Sequence, residues 1–217
     1  MTATALIDAT AAGALPLRNE PVQARSTARL AALLDAAASV VAEIGYERLT
    51  TAMVAERAGA SIGTVYRYFP DRIAVLQALG ARNLERALTR VNDEMANENH
   101  SNWAEALGAS YGSLVELFHS EPGFRSLRSG DVIDLHPASN DRTYNSILAE
   151  SMYNALVARF DVVDSPEARF AFETSLEISD ALAARAFARN PDGDESFMVV
   201  GRDVTFSMLV PFFGEPA

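Results

Sequence analysis

The sequence, 217 residues long, predicts an all-α fold with a three-helix unit near its N-terminus and a longer helical domain after it. Three observations carry this expectation. Apolar residues recur at three- and four-residue steps through every long segment, which marks amphipathic helices. Between residues 49 and 72 two short helical segments are joined by a tight glycine turn. No segment alternates polar and apolar residues as a half-buried strand does.

Residues 1–23 are rich in Ala, Thr and Pro and read as a flexible tail; Asp8 and the lack of a basic start argue against a signal peptide. The alternative for this tail is an arm in the DNA minor groove, with Arg18 and Arg25 flanking Pro21. The first helix spans about Arg25 to Ile44, with Leu30, Leu33, Leu34, Ala37, Val40, Val41 and Ile44 on one stripe and Gly45 as its stop. Thr50 is placed to cap the next helix, in which Met53, Val54 and Ala58 share a face. Gly59 ends it, Ala60 and Ser61 turn, and a second short helix runs from about Ile62 to Tyr68. Pro70 and Asp71 then open a long fourth helix. Two short helices around such a turn form a helix-turn-helix, in which the second helix lies in the DNA major groove.

This stretch resembles the DNA-binding region of the TetR family of bacterial transcriptional regulators over about residues 25–80. The resemblance rests on Thr50-Thr51, Ala58-Gly59-Ala60-Ser61, Gly63-Thr64-Val65-Tyr66, Tyr68-Phe69 and Arg72. Ala60 and Val65 depart conservatively from the family pattern. Arg72 stands where the family usually has lysine, which exchanges a point cation for a planar fork. The implied DNA-contacting residues are Thr50, Thr51, Ser61, Gly63, Thr64, Tyr66, Arg67, Tyr68 and Arg72. Gly63 admits close backbone approach, Thr64 offers a methyl and a hydroxyl, and Arg67 reaches guanine O6 and N7. The hydroxyls of Tyr66 and Tyr68 suit phosphate oxygens. Arg67 and Tyr68 could equally lie on a solvated edge, whereas Val65 and Phe69 read as core.

The net charge of −11 is unevenly spread. Residues 18–72 carry seven Arg against six acids, and residues 73–217 carry eleven Arg against twenty-two. With no lysine in the chain, cationic contacts to phosphate fall to arginine or the amino terminus. The absence of cysteine excludes disulfides and thiolate metal sites and suits a reducing cytoplasm. No apolar run approaches the length needed to span a bilayer, so no membrane partner is expected.

The domain boundaries read as 1–23 for the tail, 24–72 for the helix-turn-helix unit and 73–217 for the second domain. The fourth helix begins at Asp71 or Arg72 and continues to about Asn97. Ile73, Leu76, Gly80, Leu84, Leu88, Val91 and Met95 form its stripe. Further helices are expected over about 102–120, 124–128, 139–160, 165–190 and 194–212; Ser165 with Pro166 and Glu167 is a strong start signal. The last two are apolar on more than one side and need a second buried face. The family resemblance implies that this face is a dimer interface, a four-helix bundle for which Leu182, Phe187, Val200, Val204 and Met208 are the candidates.

Trp103, Leu107, Tyr111, Phe118, Tyr144, Met152 and Phe172 are the candidate lining of a pocket for a mostly apolar small-molecule effector. A strongly anionic ligand is disfavoured by the acid excess. His100, His119 and His136 share no ligand spacing, so no metal is expected, and no cofactor is implied. No nucleophile elbow or phosphate loop is present, which argues against an enzyme. The leading expectation is a cytoplasmic, homodimeric repressor of the TetR type on an inverted-repeat operator. The rival is a helical ligand-binding or protein-interaction module that no longer reads DNA.

Overall fold

The computed structural model describes residues 24–128 and 143–216. Among the described residues the regular structure is entirely helical. Helices α1 (Ala24–Ile44), α2 (Thr51–Arg57), α3 (Ile62–Tyr68) and α4 (Arg72–Ala96) are followed by α5 (Trp103–Ser120), α6 (Phe124–Arg128), α7 (Tyr144–Arg159), α8 (Pro166–Arg189) and α9 (Glu195–Phe213). A 3-10 turn, Tyr46–Arg48, lies between α1 and α2. The tail 1–23, the beginning expected for α7 at residues 139–142, and His136 lie outside the described residues.

Helix ends follow local chemistry. Thr50 accepts the Met53 N–H at 3.2 Å, and Ser165 accepts the Ala168 N–H at 3.1 Å ahead of Pro166. Asp71 caps α4 through the Ala74 N–H at 2.9 Å. Gly59 closes α2 at φ 57°, a left-handed conformation that costs glycine nothing sterically.

The chain forms two compact units. The first comprises residues 24–85 with 121–128. Its core joins Leu33, Leu34, Ala37, Val40 and Val41 of α1 to Val54 of α2, Val65 and Phe69 of α3, and Val75, Leu76 and Leu79 of α4. Arg82 pairs with Asp35 at 2.6 Å across α1 and α4. The sequence boundary at residue 72 therefore differs from the packing, because the first half of α4 belongs to this core. So does α6, read from sequence as part of the second domain: its Leu127 joins the same cluster. Gly123 makes that packing close. At φ 73° it stands where an added Cβ would lie 2.8 Å from the Ala38 carbonyl oxygen of α1.

The second unit comprises residues 86–120 with 143–216. Arg159 of α7 donates to the carbonyls of Met95, at 2.7 Å, and His100, at 2.6 Å, which satisfies the end of α4. His100 lies 2.9 Å from Glu94. Trp103, Phe206, Phe213, Tyr153 and Phe172 form a chain of ring contacts with centroids 5.3–6.3 Å apart. Helices α8 and α9 pack closely at Gly201, where an added Cβ would lie 3.7 Å from Leu182 and Ser179. There Ser179 Oγ lies 2.7 Å from Thr205 Oγ1 and donates to the Gly201 carbonyl at 3.2 Å.

Candidate nucleic-acid interface

The helix-turn-helix is held by its own polar side chains. Ser61 caps α3, accepting the Thr64 N–H at 3.1 Å, and its Oγ lies 2.9 Å from Thr64 Oγ1. Thr51 Oγ1 donates to the Tyr66 hydroxyl at 3.4 Å, across the two helices. Val65 and Phe69, both fully buried, turn one side of α3 into the core as expected. The opposite side carries Gly63, Tyr66 and Arg67, with Thr64 half-buried at its edge. Tyr66 is 43 % exposed and Ile62, which the sequence reading passed over, 42 %.

Tyr68 corrects one expectation. It is 4 % exposed, and its hydroxyl lies 3.0 Å from Ser26 Oγ on α1, so its ring is core and its tip an internal hydrogen bond. A core phenol needs a partner when buried, and Ser26 provides it. Of the residues placed on one face of α2, Val54 is buried while Met53 is 38 % exposed.

The arginines divide by role. Arg57 forms a two-pronged ion pair with Glu43 at 2.7 and 2.6 Å and also donates to Ser39. This pair holds the Glu43 carboxyl below, and the Arg57 guanidinium above, their ordinary ranges through the shared hydrogen bonds. Arg72 donates to the Glu47 carbonyl at 2.8 Å, which ties the start of α4 to the 3-10 turn while its side chain stays exposed. Arg25, Arg29, Arg48 and Arg67 are exposed. Arg25 and Arg29 flank Ser26 and so lie near the end of α3, and Arg48 precedes the Thr50 cap. Arg48 was legible only as part of the charge count; its position beside Thr50-Thr51 was the available signal.

In the second unit, Trp103, Leu107, Phe118, Tyr144, Met152 and Phe172 are buried and Tyr111 is half-buried. Their ring contacts fall into two groups. Trp103 and Phe172 share the Phe213 cluster, and the Trp103 indole N–H donates to the Gly214 carbonyl at 3.2 Å. Phe118 stacks on Phe187, with centroids 4.9 Å apart and planes at 11°. The Tyr111 hydroxyl lies 3.4 Å from Thr205 Oγ1, and desolvation raises its pKa. Among the described residues, no group of three or more His, Cys, Asp or Glu is arranged to hold a metal ion.

The expected dimer residues separate in the same way. Val200 is 49 % exposed, and Leu182, Val204 and Met208 are half-buried. Phe187 is corrected: at 4 % exposure, packed on Phe118 and against Gly193, it belongs to the interior of its own subunit. Phe170, on a helix expected to need a second buried face, is 73 % exposed, and so is Val163, which the sequence reading did not single out. Helix α9 is, against the sequence reading, long and apolar enough to cross a membrane, and only 22 % of its apolar window is buried within the subunit.

A capped helix-turn-helix with an uncommitted outer face, linked to an all-helical second unit, is the architecture of a one-component DNA-binding regulator. Residues 33–79 match the family model of the bacterial regulatory proteins of the tetR family, and residues 101–213 match the tetracyclin repressor-like C-terminal domain. The chain belongs to the TetR family of bacterial regulators. Among curated relatives, the transcriptional repressor KstR of Rhodococcus jostii is 41% identical over 58 residues, 27% of each chain. The nucleoid occlusion factor SlmA of Pasteurella multocida is 32% identical over 92 residues, 42% of this chain and 45% of its own. The chain thus spans between a quarter and half the length of these relatives. A solved TetR-family transcriptional regulator from Streptomyces coelicolor is 29% identical and superposes with a TM-score of 0.70, covering 85% of this chain and 99% of its own.

Proposed function

We propose that this DNA-binding regulator is a homodimeric repressor that reads an inverted-repeat operator with α3 and is released by a small, mostly apolar ligand. The observation that carries the DNA-reading part is the outer face of α3, where Gly63, Tyr66 and Arg67 are exposed and a Cβ added at Gly63 would meet nothing closer than Ser61 Oγ at 3.8 Å. Gly63 leaves bare backbone on the exposed side of α3, which permits the close approach of a duplex. Thr50, Thr51, Ser61, Gly63, Thr64, Tyr66, Arg67 and Arg72 keep the roles the sequence assigned them, and Arg25, Arg29 and Arg48 are added as phosphate contacts. The exposed apolar surface of α8 and α9 supports pairing of two copies.

The effector site is proposed in the second unit, among α4, α5, α7 and α8. Its lining is apolar apart from hydroxyls such as Tyr111, which favours a neutral ligand. Binding there acts on α4, which is continuous from Arg72 to Ala96. A coupling free energy of about 1–3 kcal/mol lowers operator affinity roughly 5- to 150-fold, and operator lowers ligand affinity by the same factor. The cytoplasm is the compartment in which this cycle operates.

The test is a mobility shift with duplexes from upstream of the chain's own gene and its neighbours, titrated with salt. Arg72→Ala is expected to weaken every duplex and to lower the salt slope by about one per protomer. An unchanged slope removes Arg72 from the interface, and absence of any shift with wild-type protein removes the regulator reading.

A further inference from the structure

We infer that Ile62 reads sequence through an apolar contact with the C5-methyl group of a thymine in each half-site. The inference rests on the DNA-binding reading above and adds a residue and a base to it. Within α3 each side-chain hydroxyl has one partner inside the protein. Thr64 Oγ1 lies 2.9 Å from the Ser61 cap oxygen, Tyr66 shares its hydroxyl with Thr51 at 3.4 Å, and Tyr68 is turned to Ser26. Arg67 is the one charged residue of α3. The apolar groups on the outer side, beside Tyr66 and Arg67, are Gly63, the methyl of Thr64 and the Ile62 side chain.

A single exposed isoleucine needs no explanation on an ordinary surface. Ile62 differs in position: it starts the helix that enters the groove, next to the glycine that lets the backbone close on the duplex. The side chain is 42 % exposed although Val65 and Phe69 of the same helix are fully buried, so the core neither needs nor shelters it. In the major groove thymine is marked by a methyl group that cytosine lacks, and an apolar side chain is its natural complement. The apolar edge that Ile62 gives α3 therefore favours a T:A pair beside whatever guanine Arg67 reads.

The test uses the duplex that wild-type protein selects from a random library. Uracil replaces thymine one position at a time, symmetrically in both half-sites, which removes only the methyl group. At one position the wild type is expected to lose about three- to tenfold in affinity, the scale of one or two buried methyl groups, while Ile62→Ala binds the thymine and uracil duplexes alike. Because Ile62 is exposed and alanine is the better helix former, the variant is expected to fold; its thermal midpoint checks this. The inference is overturned if every uracil change weakens wild type and Ile62→Ala by the same factor. It falls together with the regulator reading only if wild type selects no duplex at all, so the two failures are distinguishable.

Discussion

Gly63→Leu should abolish specific DNA binding while leaving the protein as stable as before. The new Cβ meets nothing closer than Ser61 Oγ at 3.8 Å, and Gly63 is helical, so the subunit can accept it. Gly63 is the second residue of α3, where exchanging glycine for leucine does not oppose the helix. On the DNA side the same side chain stands between α3 and the base edges. Losing even one good base contact in each half-site costs about 1–3 kcal/mol twice, so affinity should fall by about 30-fold or more. Fluorescence anisotropy with a labelled operator and a thermal melt measure both quantities. Retained affinity means that α3 does not approach the groove at Gly63; a collapsed melting temperature means that the glycine serves the subunit.

The second large effect is expected at the subunit contact. Val200→Glu places a charge on a residue that is 49 % exposed in the single chain, so the subunit tolerates it. In a two-fold dimer the same substitution appears on both faces and buries two unpaired like charges, which costs several kcal/mol. Sedimentation should show a dimer for wild type at micromolar concentration and a monomer for the variant. Operator affinity should drop about 10²- to 10⁴-fold with it, because the second half-site is no longer held at a high effective concentration. Val200 is a cleaner probe than Leu182, which is half-buried and faces Gly201 of α9 within its own chain. A variant that stays dimeric moves the interface elsewhere, to Phe170 and Val163 first.

Much of this was legible in the sequence because it is local. Caps at Thr50 and Ser165, the glycine stop at Gly59 and the single apolar stripe of α1 depend on neighbours within four residues. They set the helix bounds to within one or two positions. The illegible part depends on contacts distant in sequence. Tyr68 and Tyr66 are both tyrosines near the end of one short helix; only the arrival of Ser26, 42 residues earlier, turns one inward. Phe187 and Val200 both belong to helices apolar on several sides, and periodicity cannot say which side meets the same chain and which another copy. Residue type alone likewise could not assign α6 to the first unit, since that follows from the fit of Gly123 against α1.

Ile62 was passed over for a related reason. In sequence, an isoleucine at the start of a helix reads as core, and only its exposure beside buried Val65 and Phe69 shows otherwise. The charge of −11 is compatible with DNA binding because the acid excess lies in residues 73–217, while residues 18–72 carry seven Arg against six acids, with Arg25, Arg29, Arg48, Arg67 and Arg72 exposed.

The central claim, that two copies present two α3 surfaces to one symmetric site, is tested most directly by selecting duplexes from a random library with the wild-type protein. Native mass of the selected complex is then measured. The account predicts an inverted repeat, with half-site centres set by whole helical turns, bound by two protomers. Enrichment of an unsymmetric site bound by one protomer, or no enrichment above the starting library, would contradict it.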